Sequence, residues 1–260
     1  MCGCIRGKER RNLGTDDILR KRQATRKKRN HEYKTPRANS YLIVTEGTRT
    51  EPLYFWGLQK LIQQTVGGHV NIVAPQIDIH GEGISTMNLL AAAERYVKSA
   101  RILYQNVWIV FDKDDFQDFD EAIRKGEQMG YHVAWSNPSF EYWLYLHFDF
   151  SVASLPRDEW TRKLDEKFRQ YHIGDGRYRK NDEAIYEHMN THGGVNTAIR
   201  NARSRMKQYE DARSGMKGHE SARSGISGTK GYIVPISPSA YDPGTMVYQL
   251  VEELTGYLGA

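Results

Sequence analysis

Residues 107–115 read Val107-Trp108-Ile109-Val110-Phe111-Asp112-Lys113-Asp114-Asp115. The first five are the strongest strand signal in the chain, a continuous apolar run of β-branched and aromatic side chains. The run ends in a cluster of acids, and a helix is predicted over Phe119 to Met129, stopping at Gly130. Toward the N-terminus, Tyr41-Leu42-Ile43-Val44 is a second continuous run, of the kind that fits a strand buried on both faces. Glu46-Gly47 follows directly. A helix is then predicted from Glu51 to Gln64, with Thr50 as N-cap and Pro52 in the tolerant first turn. Val70 to Ile79 reads as a strand region interrupted by Pro75, and Ser85 caps a helix predicted to about Leu103. Toward the C-terminus, Tyr131 to Trp135 is a strand, and Asn137-Pro138 has the cap-then-proline signature of a helix running to about Phe148. Strand and helix thus alternate, which predicts an α/β fold over residues 39–150, a mainly parallel sheet with helices on both faces.

In such a sheet, ligands bind outside the carboxyl ends of the strands. Glu46 follows the first predicted strand, and Asp112 and Asp114 follow the central one. Asp112 and Asp114 are two apart, so in extended chain their side chains share a face. Hard oxygen donors of this sort suit Mg²⁺ or Mn²⁺, and a divalent ion supplies the counter-charge that buried carboxylates require. An acid after a strand is also an ordinary cap or turn residue. The combination of Glu-Gly after one strand with Asp-x-Asp after another favours the metal reading. Glu51 and Glu141 are further candidates. Each lies near the start of a predicted helix, where a favourable interaction with the helix dipole competes with a role in a site. Asp115 is either a supporting acid or solvent-exposed polarity, and Lys113 reads as a surface residue.

The flanks differ from this core. Residues 1–40 carry 13 Lys+Arg against 4 Asp+Glu, and the other 220 residues carry 24 against 28, so the overall charge of +5 belongs to the N-terminal segment. Residues 1–38 form a basic arm with few large apolar side chains, expected to be disordered. It is either a phosphate-backbone ligand or a solvated leader. The two cysteines, Cys2 and Cys4, exclude a disulfide framework and read as free thiols on that arm. Residues 151–260 read as mostly helical, with helices predicted over Trp160 to Tyr171, Asp182 to Met189, Val195 to Tyr209 and Thr245 to Leu258. Ala-Arg-Ser recurs at 202–204, 212–214 and 222–224, within a Gly-containing segment, 202–228. That segment is expected to be a mobile loop or helix extension, with a basic flap over nucleic acid as the functional alternative. Arg179-Lys180 can contact phosphates or simply face solvent. Trp143 and His147 share i, i+4 spacing, which reads as packing. His188 and His192 have the same spacing and read as a surface pair, since two ligands alone do not close a metal site. There is no phosphate-binding Gly-x-x-x-x-Gly-Lys-Ser/Thr loop, which argues against ATP hydrolysis by this chain. With no apolar run near the ~20 residues of a membrane helix and no signal-peptide pattern, a soluble cytoplasmic protein is expected.

Three segments carry a resemblance to known proteins: Ile43-Val44-Thr45-Glu46-Gly47-x-x-Thr50-Glu51-Pro52, Val110-Phe111-Asp112-x-Asp114, and Ser136-Asn137-Pro138-Ser139-Phe140-Glu141-Tyr142-Trp143-Leu144. Pro243-Gly244-Thr245 before Val251-Glu252-Glu253-Leu254 adds a fourth. Glu-Gly after one strand and Asp-x-Asp after a later one are similar to the Toprim domain of topoisomerases, primases and overcoming-lysogenization-defect nucleases. The ordered set most resembles the RloB-like family, over roughly residues 40–258. The resemblance implies a Toprim-like fold, a divalent metal (Mg²⁺ or Mn²⁺) on Glu46, Asp112 and Asp114, and phosphodiester cleavage. Glu51 and Glu141 would be secondary catalytic residues, and a Toprim glutamate can instead act as general base. It further implies a nuclease in bacterial anti-phage defence, cutting RNA (tRNA included) in preference to DNA, with a partner ATPase and room for an oligomer. A non-catalytic Toprim-like adaptor that binds nucleic acid or the ATPase is the alternative. The repeat at 202–226 departs from the family pattern, which leaves substrate contacts open.

Overall fold

The computed structural model describes residues 34–67, 74–113, 117–223 and 237–259. In chain order these form β1 (Thr35–Pro36), β2 (Ser40–Thr45), α1 (Thr50–Val66), β3 (Gln76–Gly81), α2 (Thr86–Ser99) and β4 (Ile102–Leu103). Next come β5 (Asn106–Asp112), α3 (Phe119–Gln128), β6 (His132–Asn137), α4 (Phe140–Tyr145) and α5 (Arg157–Gln170). The chain ends with α6 (Ile185–His188), α7 (Val195–Arg223), β7 (Gly244–Thr245) and α8 (Val247–Thr255). The main sheet has the order β3-β2-β5-β6-β7. Its first four strands are parallel, and β7 pairs antiparallel with β6. This is the α/β fold expected from the alternation, a mostly parallel sheet flanked by helices.

The continuous apolar runs follow from cover on both faces. Successive strand residues point to opposite sides, and each side meets helices. Tyr41, Ile43, Trp108 and Val110 pack with α1 (Tyr54, Phe55, Leu58, Ile62), α4 and the helices after residue 150. Leu42, Val44, Ile109 and Phe111 pack with Leu89 and Leu90 of α2 and with Phe119 and Ile123 of α3. Each such fully buried side chain stabilises the fold by roughly 1.5–3 kcal/mol. The first of these clusters draws on both sides of residue 150, taking in Trp160, Leu164 and Phe168 of α5 and Leu250 and Leu254 of α8.

Local signals gave way where tertiary pairing was stronger. Asn137 is not a helix cap: it is the last residue of β6, paired with Gly244, and the Asn137-Pro138 peptide is cis. Ser139 precedes the helix instead. Helix α2 ends at Ser99, and Ile102–Leu103 pair in parallel with Thr35–Pro36, inside the segment read as arm. Gly244–Thr245 join the sheet rather than opening the last helix. Helix α7 runs through Arg223, well past Tyr209, so the first two Ala-Arg-Ser triads are helical. Residues 1–33, with Cys2 and Cys4, and residues 224–236 lie outside the described residues. Among those described, no helix is long and apolar enough to cross a membrane.

Candidate functional site

The parallel pairing of β2 with β5 sets Thr45 opposite Val110. The ladder continues one step further, with Glu46 N–H donating to Val110 O at 2.8 Å. Glu46 and Asp112 therefore emerge side by side, and Asp112 N–H donates to Glu46 Oε2 at 3.3 Å. Asp112 is 8% exposed. Thr45 Oγ1 donates to Gly47 O at 2.7 Å and so ties down the turn that follows Glu46.

Glycine at 47 has a steric reason. The Glu51 carboxylate, in the first turn of α1, folds back against it, and a Cβ at position 47 would meet Glu51 Oε2 at 2.0 Å. Glu141, in the first turn of α4, is also buried. Its Oε1 accepts from Tyr178 Oη at 3.3 Å and lies 3.4 Å from Lys180 Nζ. Arg157, the first residue of α5, reaches back so that Nη2 donates to Asp112 Oδ2 at 3.1 Å. Glu46, Glu51, Asp112 and Glu141 line one cavity of about 190 Å³, and Arg49, Arg157 and Lys180 line it with them.

This setting opposes ionisation. Burial pushes the Asp112 carboxyl well above the usual carboxylate range, and the charges of Glu51 and Glu141 push it the same way. The Arg157 guanidinium and the Phe140 backbone N–H act against them. Burial likewise drives Glu51 up to about 7, reinforced by Glu141 and opposed by its own backbone hydrogen bond, Lys180 and Arg157. Carboxylates held in such a place favour a cation nearby, and an all-oxygen donor set suits Mg²⁺ or Mn²⁺ rather than a softer metal. The donor chemistry thus fits a hard divalent ion. Among the described residues, however, no group of three or more His, Cys, Asp and Glu is gathered to hold one. Asp114 and Asp115 lie outside those residues.

The cleft therefore brings together four of the five acids singled out in the sequence. It adds residues the sequence did not single out: Arg157, 45 positions from its partner Asp112, and Tyr178, whose Oη lies 3.1 Å from Thr50 Oγ1. The only local trace of Arg157 is its place after Pro156 at a helix start. Other candidates are occupied elsewhere. Lys113 Nζ donates to Ser239 O at 3.1 Å. His147 is fully buried between Trp143 O and Tyr54 Oη, as packing requires. His188 Nε2 lies 3.5 Å from Asp182 Oδ2.

The family model described as RloB-like protein matches residues 41–254. The chain belongs to the RloB-like family. The matched stretch takes in every acid and cation of the cleft, so the site lies wholly within the RloB-like part of the chain. Comparison with curated proteins and with solved structures returns no match.

Proposed function

We propose that this RloB-like protein is a divalent-metal-dependent nuclease that hydrolyses phosphodiester bonds, RNA (tRNA included) in preference to DNA. Its setting would be anti-phage defence in the bacterial cytoplasm, with a partner ATPase. The observation that carries the reading is the convergence of Glu46, Glu51, Asp112 and Glu141, from three separate stretches of the chain, on one recessed cleft at the carboxyl ends of β2 and β5. Clusters of buried carboxylates at this edge of a parallel sheet are costly unless a cation is their purpose. Glu46 and Asp112, with Asp114 from the same strand end, would hold Mg²⁺ or Mn²⁺. When bound, such an ion would supply Lewis-acid chemistry at the phosphoryl group. Glu51, in the same cleft, is placed to accept or return a proton at its carboxylate. Arg157 neutralises and orients the Asp112 carboxylate. The preference for RNA and the defence setting rest on the resemblance to related Toprim effectors.

One observation favours a second reading, the non-catalytic adaptor: Asp112 is already engaged by Arg157. Incubating the purified chain with Mg²⁺ or Mn²⁺ on total RNA, tRNA, and single- and double-stranded DNA separates the two. Cleavage of RNA that Asp112→Ala abolishes is the expected result. Cleavage that survives the substitution would refute the site, and no cleavage of any substrate would favour the adaptor.

A further inference from the structure

Lys180 stands in an unusual setting for a surface lysine. Its side chain is 58% exposed, while that of its partner Glu141 is 4% exposed, so the ammonium sits at the mouth of the cleft and the carboxylate at its floor. Their 3.4 Å separation is longer than the roughly 2.8 Å of a strong charge-assisted hydrogen bond. An ion pair this open to water adds little to stability. The backbone here is held at several points. Lys180 O accepts from Thr50 Oγ1 at 3.1 Å. Two residues earlier, Tyr178 is buried with its Oη against Thr50 and Glu141, and its N–H donates to Asp165 Oδ1 at 2.8 Å. The segment is thus anchored to α1, α4 and α5 at once, and the anchoring fixes where the Lys180 side chain is rooted.

We propose that Lys180 is an anion-binding residue of the cleft, gripping a backbone phosphate of a single-stranded polynucleotide as it enters above the carboxylates. An ammonium has three donors and no acceptor. Glu141 Oε1 engages it from below, and its exposure leaves donors directed toward the mouth. An acidic floor would repel a polyanion, and a cation at the rim offsets that repulsion where the phosphate must pass. Arg179, its neighbour, is turned away onto Asp175. This inference rests on the reading of the cleft as a nucleic-acid site, but its test does not require cleavage.

The test is fluorescence anisotropy of a fluorescein-labelled single-stranded RNA in EDTA across a NaCl series. Wild type, Lys180→Ala, Lys180→Arg and, as a control, Arg124→Ala on the exposed side of α3 are compared, with circular dichroism to verify folding. Lys180→Ala should weaken binding about 5–10-fold near 0.1 M salt and reduce the slope of log K against log salt by about 0.7, the value for one phosphate contact on a single strand. Lys180→Arg should keep both, and Arg124→Ala should match wild type. An unchanged affinity and slope for Lys180→Ala, an equal loss in the control, or no RNA binding by wild type would overturn the proposal. Cleavage by wild type in Mn²⁺, measured separately, decides the nuclease reading, so failure of one is distinguishable from failure of the other.

Discussion

A single methyl group at Gly47 should inactivate the cleft while leaving the fold in place. In Gly47→Ala the new Cβ would lie 2.0 Å from Glu51 Oε2, 2.4 Å from Cδ and 2.5 Å from Oε1. Non-bonded contacts of this kind settle near about 3.5 Å, so the carboxylate must retreat by roughly 1.5 Å. All three atoms belong to the far end of one side chain. Alanine also reduces the freedom of the unfolded chain, which stabilises by about 0.4–1 kcal/mol where the native backbone tolerates it. Disturbance of Glu51 offsets that gain, so Tm should move by no more than about 4 °C. Misplacing a reacting group by 1 Å costs on the order of 100-fold in rate, and RNA cleavage in Mn²⁺ should fall by about that factor. A double-mutant cycle checks the cause: with the carboxylate removed in Glu51→Ala, adding Gly47→Ala should change little. A loss from Gly47→Ala of equal size in both backgrounds, or a wild-type rate in the single variant, would refute the reasoning.

Two further predictions concern the fold around the site. Burial lowers His147 to about 4, below its ordinary 6.5, while its ring lies against Trp143 O and Tyr54 Oη. The unfolded chain then binds the proton more readily than the native one. The stability this group contributes is complete above pH 6.5 and falls by up to about 3 kcal/mol as pH drops to 4. Urea unfolding at about pH 7 and about pH 4.5 should show this loss in wild type and a smaller one in His147→Gln; identical pH slopes would contradict the assignment. Gly193→Ala places a Cβ 2.7 Å from His147 O and 2.8 Å from its carbonyl carbon, where backbone must yield. It should destabilise by about 1–3 kcal/mol, seen as a lower urea midpoint, and an unchanged midpoint would show that the π turn at Met189–Gly193 yields freely.

The parts of the fold legible in the sequence were those with a contiguous signal. Tyr41 to Val44 and Val107 to Phe111 announce themselves because both faces of their strands are covered, so every side chain must be apolar. Glu46 and Asp112 were legible as acids at strand ends for the same reason. The reading at Asn137-Pro138 went astray because a cap signal is local, whereas pairing of Asn137 with Gly244 keeps that residue extended. Strand β7 had no signal at all, since two residues carry no periodicity.

The sequence alone determined the alternation of strands and helices and the position of acids at the carboxyl ends of β2 and β5. Both follow from burial demands written into neighbouring residues. Tertiary structure alone decided that Glu51 and Glu141 turn into the same cleft, and that Arg157 and Lys180 meet Asp112 and Glu141 at 3.1 and 3.4 Å. Electrostatic partnership acts through space. Residues 39 and 45 positions apart become neighbours only when α4, α5 and the segment before α6 pack against the end of the sheet.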